Sequence, residues 1–192
     1  MDNVYGHLGT FQPAGSASFE LEPDAHRTQL VGVGLFFDKL GRMPLLLRAA
    51  GDPGTGARVE HAGGAVDQFE LMFDAIPREI HEELNHKELA AGLWPEDIKV
   101  FRTFIGEEEV KQIEDGHAAL RIWKFPCLSR RPFSEVEFSL SPDHERYEVV
   151  VPNTDMVEIP YEGGPLRFSH LPLERQMNAL EAREVIFGSK LR

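Results

Sequence analysis

The stretch GGAVDQFELMFDAIPREIHEELNH, residues 63–86, decides how this chain is read. It opens on two glycines, where backbone can turn sharply or approach another group closely. It closes on PREIHEELNH, which sets Arg78, Glu79, Glu82 and Glu83 beside His81 and His86. From about Leu71 to Leu84 the residues read as a helix. On a helix Glu82 lies about 300° round from Glu79 and Glu83 about 400°, so the three carboxylates share an arc of roughly 100°. Glu79 and Glu83, a like-charge i,i+4 pair, cost about 0.2–0.5 kcal/mol on a bare helix. Solvated helix faces carry such clusters too, so the carboxylates alone leave a surface face and a cation site both open.

Other chemistries are easier to exclude. His81 and Glu82 open a zinc-protease-like pattern, but His86 follows His81 by five residues rather than four, which splays the two rings by roughly 140°. Both histidines are expected at the surface. VGVGLF has Gly32 and Gly34 but Phe37 where a dinucleotide fingerprint wants its third glycine. GDPGTGAR has Gly51 and Gly56 at P-loop spacing, followed by Ala57 and Arg58 instead of Lys and Ser/Thr. No G-x-S-x-G elbow is present.

Composition sets the frame. The chain has 192 residues, enough for one domain with a sizeable core. Its 32 acidic and 20 basic residues give a net charge of −12, which disfavours nucleic acid and anionic membranes as partners. No apolar run reaches the roughly 20 residues of a membrane span, and residues 1–15 lack the pattern of a secretory signal. Cys127 stands alone, so no internal disulfide can form; it reads as a small buried hydrophobe in a reducing, cytoplasmic setting. An anionic substrate would have to be met through cations.

Along the chain, residues 1–28 read as an extension rich in Gly, Pro, Ser and Ala. Residues 29–38 form the first core strand, GRMP a turn, and 45–49 its hairpin partner. Residues 50–57 are a loop. Strands are expected at 99–105, 119–128, 136–140 and 146–151, with a short helix or loop in GEEEVKQIEDGH between the first two. A helix is expected over 172–188, with Pro172 near its start and Gly188 past its end. This order argues for a single layered α/β domain over residues 1–192.

Gly64, Glu70, Arg78, Glu79, Ile80, Glu82 and Glu83 together follow the pattern G, five residues, E, seven residues, R-E-apolar-x-E-E. This resembles the Nudix box, and the likeness extends over about residues 29–160. The resemblance implies an α/β/α sandwich with a mixed β-sheet, the box forming a loop–helix–loop, plus the C-terminal helix. It implies hydrolysis of a diphosphate linkage in a nucleoside diphosphate derivative or other organic diphosphate. Glu79, Glu82 and Glu83, with the Gly63 carbonyl, would hold Mg²⁺ or Mn²⁺; Arg78 would orient the glutamates and Glu70 would support Arg78. Magnesium prefers hard oxygen ligands and keeps waters, which suits such a set. An extra base is sought outside the box, at Glu107, Glu108 or Glu109, or at Asp143 and Glu145 in SPDHERYEV. The expected partner is a small-molecule diphosphate; the family is often homodimeric, and the N-terminal extension and C-terminal helix are the segments available for a seam.

Four positions depart from the pattern. Asn85 replaces the usual glycine and is expected in the left-handed conformation. His86 replaces an apolar residue, and Ala62 stands where proline is commoner. Pro77 falls in the second turn if the helix starts at Leu71, or at the third helical position if Asp74 caps a later start; a late start or a kink is therefore expected. The alternative to hydrolysis is a Nudix-fold protein turned to ligand binding or a non-hydrolytic isomerisation or rearrangement. Isopentenyl-diphosphate isomerases share the fold but need a cysteine in a different context from that of Cys127.

Overall fold

The computed structural model describes residues 27–49, 59–110 and 117–188. Most of the extension expected at 1–28 and the loop at 50–57, with Gly51 and Gly56, lie outside the described residues. Strand β1 (Arg27–Phe37) is the spine of the main sheet. It pairs antiparallel with β4 (Gly63–Ala65) on one side and parallel with β7 (His117–Ser129) on the other. β7 also pairs antiparallel with β5 (Ile98–Val100) and β6 (Gly106–Val110). A second, antiparallel sheet runs in the order β3 (Val59–Glu60), β2 (Met43–Arg48), β8 (His144–Val150).

Helix α1 (Met72–Leu84) lies against β1 and β4, and helix α2 (Leu173–Phe187) against β7 and β1. The alternation of β1 divides the core between them. Leu30 and Phe36 join Ile76, Ile80 and Leu84 of α1, whereas Leu35 and Phe37 join Ala179 and Ala182 of α2. The mixed sheet between helices matches the expected α/β architecture. The glycines of VGVGLF serve packing: a Cβ at Gly32 would sit 2.8 Å from Ile76 Cγ1 and from Met72 Sδ, and one at Gly34 would collide with Ile80. Met72, Ala75, Ile76, Ile80 and Leu84, spaced three and four apart, are the buried stripe that seats α1 there.

Several expectations need correction. Residues 45–49 do form a strand, but not a hairpin partner of β1. Asp38 caps the turn tightly, accepting from Leu40 N and Arg42 N at 2.9 and 3.0 Å and from the Arg42 guanidinium at 2.6 Å. Beyond that turn β2 leaves β1 and pairs with β3 and β8 instead. Helix α1 starts at Met72 with Leu71 as an extended N-cap, so Asp74 caps nothing and the late start is overturned. Pro77 lies inside the helix, which deprives the Phe73 carbonyl of its helical donor.

Asn85 is not left-handed: φ is −134° and ψ is 39°. It is held by its surroundings. Its N–H donates to His81 O at 2.7 Å, its Oδ1 accepts from Leu89 N at 2.8 Å, and a Cβ at Gly92 would collide with its side chain. Residues 136–140 form no strand, because their backbone completes the end of α1 instead. Ser139 N donates to Leu84 O at 2.9 Å and Ser141 N to Glu83 O at 3.1 Å, satisfying carbonyls that a helix end leaves unpaired. The strand expected at 99–105 stops at Val100, and the polar GEEEV begins β6, an edge strand whose exposed Glu107 pairs with Arg121 at 3.3 Å. The remainder of that polar segment lies outside the described residues. No described helix is long and apolar enough to cross a membrane.

Candidate active site beside the edge strand

β4 and α1 enclose the box. The loop between them turns at Phe69, whose φ of 69° is left-handed. Arg78 is the centre of the polar face. Its Nε and Nη2 donate to the two Glu70 oxygens at 2.8 and 2.7 Å, and Nη2 also to Ala65 O at 2.9 Å. Nη1 donates to Glu79 Oε1 at 2.8 Å and to Glu82 Oε2 at 3.2 Å. One planar fork thus ties the loop, the edge strand and two turns of helix together.

The two glycines make room for this. A Cβ at Gly64 would collide with the Glu79 carboxylate, so Glu79 lies directly on the backbone there. Gly63 N donates to Glu83 Oε2 at 2.9 Å. Arg78 pulls the Glu70 carboxyl below its usual range. Burial raises the Glu79 carboxyl in spite of Arg78, with Glu82 and Asp67 adding repulsion. Burial raises Glu83 well above its ordinary value, partly offset by the Gly63 N–H and reinforced by Glu60 and Glu79.

Glu70, Arg78, Glu79, Glu82, Glu83, Gly63 and Gly64 are therefore brought together as the sequence pattern required. The donor set is all hard oxygen, which fits Mg²⁺ or Mn²⁺ in kind. The side chains do not yet converge, since among the described residues no three His, Cys, Asp or Glu groups gather as a metal-holding set. Arg78 Nη1 lies between Glu79 and Glu82, and Glu82, with a side chain 55% exposed, is the one freest to swing.

Behind the box stands a second polar layer, of which the sequence reading missed Glu60 and Arg48. His144 is buried, its Nε2 3.0 Å from Glu60 Oε1 and its Nδ1 3.1 Å from Ser141 Oγ. Arg48 Nε reaches the same Glu60 oxygen at 3.0 Å. The signal was strand alternation: in β8 the inward side chain is His144, which leaves Asp143 and Glu145 exposed on either side. Glu108 faces α2 rather than α1, paired with Lys124 at 3.3 Å, and the Glu109 side chain lies outside the described residues. His86 is exposed, but His81 is half-buried, stacked on Trp94 at 5.0 Å with Nδ1 2.7 Å from Leu93 O, which corrects its assignment to the surface.

Several solved structures resemble this chain. A MutT NUDIX hydrolase from Burkholderia pseudomallei is 21% identical, over 81% of this chain and 97% of its own, with a TM-score of 0.49. A MutT protein from Methanosarcina mazei Go1 is 16% identical over 66% and 78%, with a TM-score of 0.46. An Ap4A hydrolase from C. elegans is 17% identical over 63% and 78%, with a TM-score of 0.44. No family model and no curated protein sequence matches the chain. All three structures are less than a quarter identical to it, so its chemistry has to be argued from its own residues.

Proposed function

We propose that this chain is a Nudix-type hydrolase that cleaves a diphosphate linkage in a nucleoside diphosphate derivative or other organic diphosphate. The observation that carries the reading is the Arg78 fork, which engages Glu70, Glu79 and Glu82 at once while Gly63 and Gly64 seat Glu83 and Glu79. A surface ion-pair cluster would need neither the glycine pair nor the bidentate Glu70 clamp.

Glu79, Glu82, Glu83 and the Gly63 carbonyl would hold Mg²⁺ or Mn²⁺, which would supply charge compensation for the diphosphate oxygens and a more acidic water. The chain's own part is positional. Arg78 fixes Glu79 through a 2.8 Å bond, so its second oxygen stays turned toward the backbone at Gly64. Glu70 locks the Arg78 plane. The 2.9 Å bond from Gly63 N orients Glu83, and the Glu60–His144 layer stands behind it. Asp143 and Glu145, exposed around the anchored His144, are the proposed source of a base for the attacking water. The same reading treats residues 1–192 as one domain.

The test is product release from a panel of NDP-sugars, ADP-ribose, dinucleotides, nucleoside triphosphates, coenzyme A and prenyl diphosphates, run with Mg²⁺, with chelator, and with Glu82→Gln. Metal-dependent cleavage of one class, lost in the variant, is expected. Cleavage of none by folded protein would turn the assignment to ligand binding or a non-hydrolytic rearrangement.

A further inference from the structure

Beneath α2, on the sheet face opposite the box helix, a second group of charged and polar side chains is buried. Lys124 of β7 is 2% exposed, Arg175 and Asn178 of α2 are each 9% exposed, and His61, between β3 and β4, is 7% exposed. The register sets Lys124 and Asn178 on one row of the sheet. Gly63 pairs with Val33, Val33 with Lys124, and Lys124 with Gly106, so one row crosses four strands. Asn178 rests on the end of that row, where a Cβ at Gly106 would lie 2.9 Å from its Oδ1. Arg175, three residues earlier on the helix, shares the face of Asn178.

These groups are under-partnered. Lys124 Nζ meets Glu108 Oε2 and Glu174 Oε1 at 3.3 Å each, and Arg175 Nη2 meets the same Glu108 oxygen at 3.5 Å. Well-formed charge-assisted bonds run about 2.7–2.9 Å. Two buried cations therefore share one half-buried carboxylate loosely, and the second carboxylate, Glu174, has a side chain that is 63% exposed and free to leave. Among the described residues Asn178 Nδ2 completes no hydrogen bond, and the His61 ring meets the Arg175 backbone without closing a well-formed one. Buried polar groups left this way are costly unless something else completes them.

We propose that Lys124, Arg175, Asn178 and His61 form an anion-binding subsite, taking a phosphate or carboxylate group where Glu174 now stands in as the carboxylate. Removing Glu174 leaves two buried cations, Lys124 and Arg175, sharing the single carboxylate of Glu108. An apolar chain would leave those cations unpaired, so a prenyl tail is the wrong occupant. Neighbouring strands lie about 4.8 Å apart, which puts Lys124 roughly 10 Å from Gly63. A substituent on a diphosphate held at Gly63 would pass round the β4 edge to reach that face. Resting on the hydrolase reading, the subsite names the substrate class: a diphosphate derivative bearing a further phosphate or carboxylate remote from the cleaved bond.

The test uses the full chain with ¹⁵N-labelled histidine in excess chelator, titrated separately with inorganic phosphate and with malonate against a sodium chloride control. Saturable movement of the His61 ring resonances by either probe, beyond the chloride control, is expected, and the more effective probe identifies the group. Lys124→Met should weaken binding about tenfold, the loss of one charge-assisted bond. Glu174→Gln, an exposed change that spares the fold, should tighten it by removing the resident competitor. No movement with either probe, or the same affinity in Glu174→Gln as in the parent, would overturn the subsite and leave an ionic clamp for α2. Because chelator is present, this result does not depend on hydrolysis. A panel with Mg²⁺ that cleaves nothing would sink the hydrolase reading while leaving the subsite decided by the titration.

Discussion

Arg78→Met is the most informative single change to the box. The variant keeps an unbranched stem of similar reach but removes every donor of the guanidinium. Two bonds to Glu70, at 2.8 and 2.7 Å, are lost together with those to Ala65 O and Glu79. Glu70 and Glu79 have side chains only 17% and 14% exposed, so water replaces the lost partners poorly. The contact with the exposed Glu82 adds little. Charge-assisted bonds of this kind contribute about 1.5–3 kcal/mol, so the two well-covered carboxylates together suggest a loss of about 3 kcal/mol. For a chain of this size that corresponds to a fall in Tm of roughly 6–12 °C.

The assay is urea unfolding followed by tryptophan fluorescence, repeated across pH. The sign follows from Glu70, whose carboxyl Arg78 holds below its unfolded value of 4.5. Such a group stabilises the fold above the unfolded pKa, and that stabilisation is lost as pH falls through the folded value. The Glu70 part of the gap between wild type and Arg78→Met should therefore be full at pH 7 and close progressively below about pH 4.5, whereas the Glu79 part, whose carboxyl burial raises, closes at higher pH. Arg78→Lys, with charge but no fork, should recover less than half of the loss. A gap under about 1 kcal/mol at pH 7, or one that persists unchanged in acid, would refute the claim that the fork holds the box together.

Glu82→Gln, by contrast, should abolish metal-dependent hydrolysis while moving stability by no more than about 0.5 kcal/mol, since that side chain is largely exposed; calorimetry beside the activity assay checks both halves. Gly64→Ala places a methyl against the Glu79 carboxylate and should destabilise by about 1–3 kcal/mol in the same urea assay. Phe69→Gly relieves a left-handed backbone at a side chain 79% exposed, and after the entropy of glycine is allowed for it should stabilise by up to about 1 kcal/mol. Cys127 is buried and its thiol is pushed up by that burial, so a thiol reagent should label it only as fast as the chain unfolds, with guanidinium-unfolded protein as the positive control.

What could be read in advance followed local rules. The helix of the box was legible because its buried stripe and its carboxylates repeat at helical spacing, and β1 and β7 because they are apolar runs of strand length. The partner of β2 was not legible. A short turn after β1 suggests a hairpin, yet nothing local says that Asp38 will cap the turn and send β2 into another sheet. The residue type of Asn85 favours the left-handed conformation, but Leu89 and Gly92, which fix it, follow it in the chain beyond the end of the helix. The inward turn of His144 toward Glu60 depends on a pairing 84 residues apart in sequence. His61 gave no signal at all; its meaning lies in Arg175, more than a hundred positions later.

The short crossing from β3 to β4 sends side chains to both faces of the sheet. Extended backbone turns alternate side chains to opposite faces. Glu60, Ala62 and Gly64 face α1, where they meet His144, the α1 core and Glu79. His61 faces the other way, toward Lys124 and Arg175. Five consecutive residues therefore serve the carboxylate cluster with one set of positions and the basic cluster with the other. Gly63 lies in the row that leads to Lys124, while its N–H holds Glu83. A strongly acidic protein can meet an anionic molecule in this way, with a cation held by carboxylates at one end and buried Lys and Arg at the other. Changing His61 should then alter which molecules bind, whereas changing Glu83 should alter what happens to them.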